Sequence, residues 1–229
     1  MIERLKNFQF RTRILSGIGA ISALGELAKS MGAQKYLLVA DPSLESHGIL
    51  ESARKSLRES GIDGEVSLKV EPEPYLDNAD SAADIGRDAK ADIVIGIGGG
   101  SARDTAKAAA VLMTNPGKAE DYVGLNLVKN PVAPNIMVPT TAGTGAEVTF
   151  TAVFTNRLTK AKGGINSVHM FPNAALLDPE VTVSLPPDVT ASTGMDALTH
   201  AIESVTSLSS TIFTESLSLT SIRLIAGSL

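Results

Sequence analysis

The sequence predicts an α/β fold: a mostly parallel sheet covered by helices on both faces, followed by an all-helical segment. Three observations predict it. Short apolar runs such as 35-KYLLVAD-41 and 92-DIVIGIGGG-100 alternate with stretches of helical periodicity, the signature of strands joined by crossover helices. Two of the runs break into glycine-rich turns, where a chain leaving a strand bends sharply. After Pro186-Pro187 the strand signals stop and only helical pattern remains.

The elements follow in order. Residues 14-ILSGIGAISALG-25 follow Arg11 and Arg13 and have the look of a signal-peptide core, but Gly17, Gly19 and Gly25 interrupt the run and Glu26 follows at once. A cytoplasmic location is expected. Residues 35–41 read as a buried strand ended by Asp-Pro, and residues 44–60 as a helix with Leu44, Ile49, Leu50, Ala53 and Leu57 on one face and Gly61 at its end. Residues 65-EVSLKV-70 alternate as a second strand, and 77–91 form a helix opened by acidic residues that suit its positive end. Residues 92–113 give a strand, a glycine turn and an alanine-rich helix; 135-NIMVPT-140 and 175-ALLDP-179 give further strands. The predicted division is an α/β domain over residues 1–184 and the opening helices of an all-α domain over 185–229, with Pro187 allowed in a helix's first turn.

Composition narrows the function. A net charge of −5 with no basic block argues against nucleic acid and anionic membranes as partners. Aromatics make up 4% and Trp is absent, which removes a base-stacking platform. With no Cys there is no disulfide, thiolate metal site or cysteine nucleophile. No apolar run approaches the roughly 18 residues that span a bilayer.

Two turns carry the chemistry. In 96-GIGGGSARD-104 a strand runs through Gly98, Gly99 and Gly100 into Ser101 and a helix. A helix N-terminus presents N–H groups and positive dipole to a phosphate, and Ser101 adds a hydroxyl donor. The stretch is not GxGxxG, and there is no GxxxxGK[ST]. In 138-VPTTAGTGAEVT-149 a second strand ends in Thr140 and Thr141, with Thr144 inside the glycine turn. Its hydroxyls can serve a diphosphate, ribose or amide; a surface turn rich in turn formers is the bland alternative. Asp41, at the end of the first clear strand, can bind a ribose diol or simply start an Asp-Pro turn. In 194-GMDALTHAIES-204, Asp196 and His200 stand four apart on one helix face. They suit Fe²⁺, Zn²⁺, Mn²⁺ or Co²⁺ by residue type, but two ligands do not complete a centre. Neither His47 nor His169 has ligand spacing to them.

Together these stretches resemble the iron-containing alcohol dehydrogenase family. The resemblance rests on 96-GIGGGSARDTAKAAAVL-112, 138-VPTTAGTGAEVT-149, 174-AALLDPEVTVSLPPDVTASTGMDALTHAIES-204 and, more loosely, 33-AQKYLLVAD-41. It implies a Rossmann-like domain followed by an all-helical domain, with the active site between them. It implies that Gly98, Gly99, Gly100 and Ser101 cradle the cofactor diphosphate, that Thr140, Thr141 and Thr144 line the cofactor site, and that Lys162 and Leu177 contact the nucleotide. Asp41 falls near the adenosine ribose and favours NAD over NADP; Asp104 is a motif residue beside the site. Asp196 and His200 match metal ligands, with Fe²⁺ expected and Zn²⁺ the alternative. The implied partner is a small alcohol or aldehyde, and the implied assembly a homo-oligomer, a dimer.

The family's remaining metal ligands are histidines on later helices, and no histidine follows His200. The expectation is therefore an NAD-dependent, metal-dependent dehydrogenase represented by its N-terminal portion. A truncated, non-catalytic nucleotide-binding relative is the alternative. In either case Ile202, Leu217, Leu219, Ile222, Leu224 and Ile225 are expected to lie partly exposed, inviting self-association or fraying after about residue 205.

Overall fold

The computed structural model describes residue 6 and residues 8–229, which fall into two compact units. One comprises Arg11–Thr140 and Ala146–Ser184; the other comprises the described residues up to Phe10 with Thr141–Gly145 and Leu185–Leu229.

The larger unit opens with β1 (Arg13–Ser16), α1 (Leu24–Ser30), β2 (Lys35–Ala40), α2 (Ile49–Glu59) and β3 (Asp63–Ser67). It continues through α3 (Leu76–Ala89), β4 (Ile93–Gly98), α4 (Gly100–Leu112), the short β5 (Gly124–Leu125) and β6 (Asn135–Pro139). β7 (Thr151–Thr155), β8 (Lys162–Asn166) and β9 (Ala174–Leu177) complete it. Six strands form one sheet in the order β1-β9-β6-β4-β2-β3, every pair of them parallel. This is the Rossmann-like α/β sheet the sequence predicts. The chain winds outward from β2 to β3, then returns to place β4 on β2's other side, so the winding reverses between β2 and β4. Open sheets of this kind bind ligands at that reversal, beyond the strands' carboxyl ends.

Strand periodicity divides the core. Leu37, Val39, Val94 and Met137 face one way, onto alanines of α3 and α4. Tyr36, Leu38, Ile93, Ile95, Ile97 and Ile136 face the other, onto Leu24, Leu27, Leu50 and Leu57 of α1 and α2. Each fully buried Leu or Ile contributes about 1.5–3 kcal/mol. The alanine content of α4 lets it lie close to the sheet. A Cβ at Gly96 would stand 2.7 Å from both the Ala106 Cβ and the Met137 sulfur.

Several elements differ from the sequence expectation. No strand was expected in the run 14–25, yet Arg13–Ser16 pairs as an edge strand with β9, and Ala20–Ala23 is a 3₁₀ turn leading into α1. That pairing joins positions some 160 residues apart (Arg13 with Ala174), which local periodicity cannot reveal. The helix expected over 44–60 is split. Gly48 takes a left-handed conformation between a 3₁₀ segment, Pro42–His47, and α2. Gly61 follows α2 at φ +76° and donates to the Arg58 carbonyl, as a helix-ending glycine does. A three-stranded sheet, β5-β8-β7, was not foreseen, although 151-TAVFT-155 carries the alternation of a strand.

The smaller unit contains α5 (Pro187–Thr206) and α6 (Ile212–Ser228). Pro187 opens α5, and the Thr211 side chain caps α6 by accepting from Thr214 N–H. The apolar positions expected to be partly exposed are so: Ile202 is 46% and Leu224 65% exposed. Among the described residues no helix is long and apolar enough to cross a membrane.

Candidate functional site

Four adjacent strands of the large sheet end in candidate residues. Leu177 closes β9, Thr140 follows β6, Gly98 closes β4 and Asp41 follows β2. The sheet order therefore sets positions distant in sequence side by side along one carboxyl edge, at the point where the winding reverses.

Gly98 fits there because no other residue does. Its φ is +144°, and an added Cβ would lie 2.8 Å from the Ala102 Cβ and 3.5 Å from the Asp41 Cβ. Gly99 is the N-cap of α4 and Gly100 its first residue, so the thirteen-residue helix directs its positive end and its first N–H groups at this edge. The turn is tied to β6 by the Thr140 N–H, which donates to the Gly98 carbonyl at 3.1 Å. Ser101 differs from expectation. Its hydroxyl donates to the Pro72 carbonyl at 2.6 Å, so its proton is engaged and its backbone N–H is what remains to face an anion. The Asp41 carboxylate accepts from the Ser43 N–H at 2.9 Å and the Ser43 hydroxyl at 2.7 Å. Asp41 is thus a turn starter.

Lys162 is not on this edge. It begins β8 in the three-stranded sheet, is exposed, and stands 3.8 Å from Glu73 Oε1. It borders a cavity of about 300 Å³ lined also by Leu76, Glu120, Phe154, Asn156 and Gly163.

The smaller unit holds Thr141, Thr144, Asp196 and His200. The turn Thr141–Gly145 packs on α5: a Cβ at Gly143 would come within 3.0 Å of the Thr193 carbonyl oxygen and 3.1 Å of its Cβ. Asp196 lies one helical turn beyond Thr193. His200 Nδ1 is 3.7 Å from Asp196 Oδ2, with both side chains about half exposed. Carboxylate and imidazole suit a first-row divalent metal in kind. They fall short in number: among the described residues no group of three or more such side chains converges.

Sequence reasoning missed a buried charge cluster on α4. Arg103 and Lys107 are fully enclosed. Arg103 pairs with Glu147 through Nη1 and donates from Nε to the Gly99 carbonyl at 3.2 Å. Lys107 Nζ is 3.0 Å from Asp104 Oδ1, 3.3 Å from the Thr149 hydroxyl, and donates to the Thr151 carbonyl. Asp104 Oδ2 accepts from the Val153 N–H at 3.0 Å. Asp104 is therefore a tie between α4 and β7. Burial pulls both cations' pKa values down, against the Glu147 and Asp104 carboxylates, which pull them up. The available signal was two cations at i and i+4 inside an otherwise alanine-rich helix. The long-range partners that bury them are invisible to periodicity.

Comparison with known proteins agrees with the geometry. A family model described as iron-containing alcohol dehydrogenase matches residues 11–179, and one for the C-terminal region of the Fe-containing alcohol dehydrogenase family matches residues 190–229. A sulfoacetaldehyde reductase from Bilophila wadsworthia is 38% identical over 217 residues, 95% of this chain and 56% of the relative. A crystal structure of 1,3-propanediol oxidoreductase superposes with a TM-score of 0.94 at 36% identity, covering 97% of this chain and 58% of that one. A sulfoacetaldehyde reductase from Bifidobacterium kashiwanohense, solved in complex with NAD+, gives 0.89 at 33% identity, covering 96% and 58%. The chain thus spans a little over half the length of the relatives it matches.

Proposed function

The chain belongs to the iron-containing alcohol dehydrogenase family, and from that premise we propose that it binds NAD and serves hydride transfer between the nicotinamide and a small alcohol or aldehyde. One observation carries the reading: Leu177, Thr140, Gly98 and Asp41 end four adjacent parallel strands where the sheet reverses its winding, beside the N-terminus of α4.

The roles follow from chemistry. Gly98, Gly99 and Gly100 and the Ser101 N–H meet the diphosphate. Asp41 accepts from the adenosine ribose and repels a 2′-phosphate, which favours NAD over NADP. Thr140, Thr141 and Thr144 supply hydroxyls along the cofactor, with Leu177 and Lys162 as further nucleotide contacts. Asp196 and His200 contribute to a divalent metal site, Fe²⁺ by family and Zn²⁺ as the alternative. Such an ion acts as a Lewis acid on the substrate oxygen when bound. The proposed domain division is residues 1–184 for the nucleotide and 185–229 for the helical, metal-binding part. A cytoplasmic homodimer is the proposed setting.

A second reading, a nucleotide-binding chain without dehydrogenase activity, is favoured by the pair of metal-type ligands standing alone among the described residues. NADH fluorescence titration tests the shared part, and alcohol oxidation with added Fe²⁺ or Zn²⁺ separates the two. Binding with metal-dependent NADH formation supports the dehydrogenase; binding with none, for any short alcohol, supports the second reading. Failure to bind NADH overturns both.

A further inference from the structure

We propose that Arg103 is a positioning residue that locks together the two segments flanking the cofactor edge: the glycine turn at the head of α4 and the stretch that opens at Glu147. This rests on the cofactor reading above for its purpose, but its geometry stands independently.

Arg103 lies in the first turn of α4, enclosed from solvent. Its guanidinium is a rigid planar fork of donors. One arm, Nε, reaches back to the Gly99 carbonyl, which also accepts the Arg103 backbone N–H at 3.3 Å. Another arm, Nη1, meets the Glu147 carboxylate. Glu147 is 44 positions away and stands two residues after Gly145, directly beyond the threonine turn. A buried cation must keep a partner, because removing one leaves an uncompensated charge in low dielectric. The same group must therefore hold both segments at once.

The next helical turn repeats the device. Lys107 and Asp104 grip Thr149, the Thr151 carbonyl and the Val153 N–H. The stretch from Glu147 to Val153 is pinned to α4 along its length. A cofactor meeting such an edge finds it already ordered, which lowers the entropic cost of binding.

Amide hydrogen exchange on the whole chain, without cofactor, tests the coupling. Glu147→Ala is expected to speed exchange of the Arg103 and Thr140 amides, which donate to the Gly99 and Gly98 carbonyls, by roughly tenfold or more, with Leu38 and Ile95 in the sheet unchanged. Arg103→Lys is expected to keep residues 146–149 protected through its remaining charge. It should leave the amides at positions 103 and 140 exchanging fast, since one ammonium cannot span both partners. Unchanged exchange at Arg103 and Thr140 in Glu147→Ala overturns the proposal, as does full protection of both segments in Arg103→Lys. NADH titration of the same proteins then reads the purpose: affinity about tenfold weaker in Glu147→Ala supports it. Equal affinity despite faster exchange overturns the cofactor role. A wild type that ignores NADH removes the cofactor reading, while the exchange data still decide the coupling.

Discussion

Gly98 and Ala102 stand so close that a Cβ on the glycine would lie 2.8 Å from the Cβ of the alanine. No real pair of such carbons comes that near, and the φ of +144° at Gly98 is one that side-chain-bearing residues avoid. Gly98→Ala must therefore either strain the backbone or push α4 off the sheet. The expected outcome is a loss of about 2 kcal/mol in unfolding free energy by urea titration, together with weakened NADH binding. Full stability in the variant would show that the turn relaxes without cost.

Burial pulls the Lys107 pKa below its ordinary 10.5, opposed chiefly by Asp104. Between that lowered value and 10.5 the unfolded chain holds a proton the folded one has released. Stability therefore rises with pH across that interval. Lys107→Met removes the titration and leaves Asp104 without its cation. Its expected effects are a loss of about 3 kcal/mol near neutrality and a flatter climb of the urea midpoint on the alkaline side. An alkaline slope as steep as the wild type's would mean that Lys107 is not its source.

Local chemistry made the sheet and its turns readable. The runs ending at Asp41, Gly98, Thr140 and Leu177 are strands because apolar side chains cover both faces, and strands buried on both faces read as near-continuous apolar runs. What stayed hidden depends on partners remote in sequence. The β1 strand exists through its pairing with β9. The burial of Arg103 was not legible because its partner Glu147 lies beyond three further elements of the chain. Ser101 looked like an open donor because nothing local announces the Pro72 carbonyl that takes its proton. The Asp196–His200 pair was legible because helix geometry alone sets it.

That pair gives a testable expectation for metal binding. Two side chains about half exposed on α5, with no third ligand type converging among the described residues, hold a divalent ion weakly. Millimolar Zn²⁺ is expected to stabilise the chain by less than about 1 kcal/mol in thermal unfolding, the linkage value for a ligand near its dissociation constant. His200→Ala should abolish even that. Stabilisation near 4 kcal/mol, the value for roughly a thousandfold excess over the dissociation constant, surviving in His200→Ala would locate the ion elsewhere.

Asp41 offers the sharpest test of cofactor choice. Its carboxylate follows β2, with its Cβ 3.5 Å from where a Cβ on Gly98 would sit, so a nucleotide lying on the glycine turn would bring its ribose near that charge. A 2′-phosphate placed there meets like charge, and relieving it should favour NADPH. Asp41→Ser is expected to raise NADPH affinity relative to NADH by roughly tenfold or more, the size of a modest charge contact, as read by paired fluorescence titrations. The serine keeps an oxygen able to cap Ser43 N–H, the bond Asp41 now accepts, so the fold should change little. An unchanged ratio of the two affinities would mean that Asp41 only starts the turn at Pro42, and that discrimination against the phosphate resides in another residue.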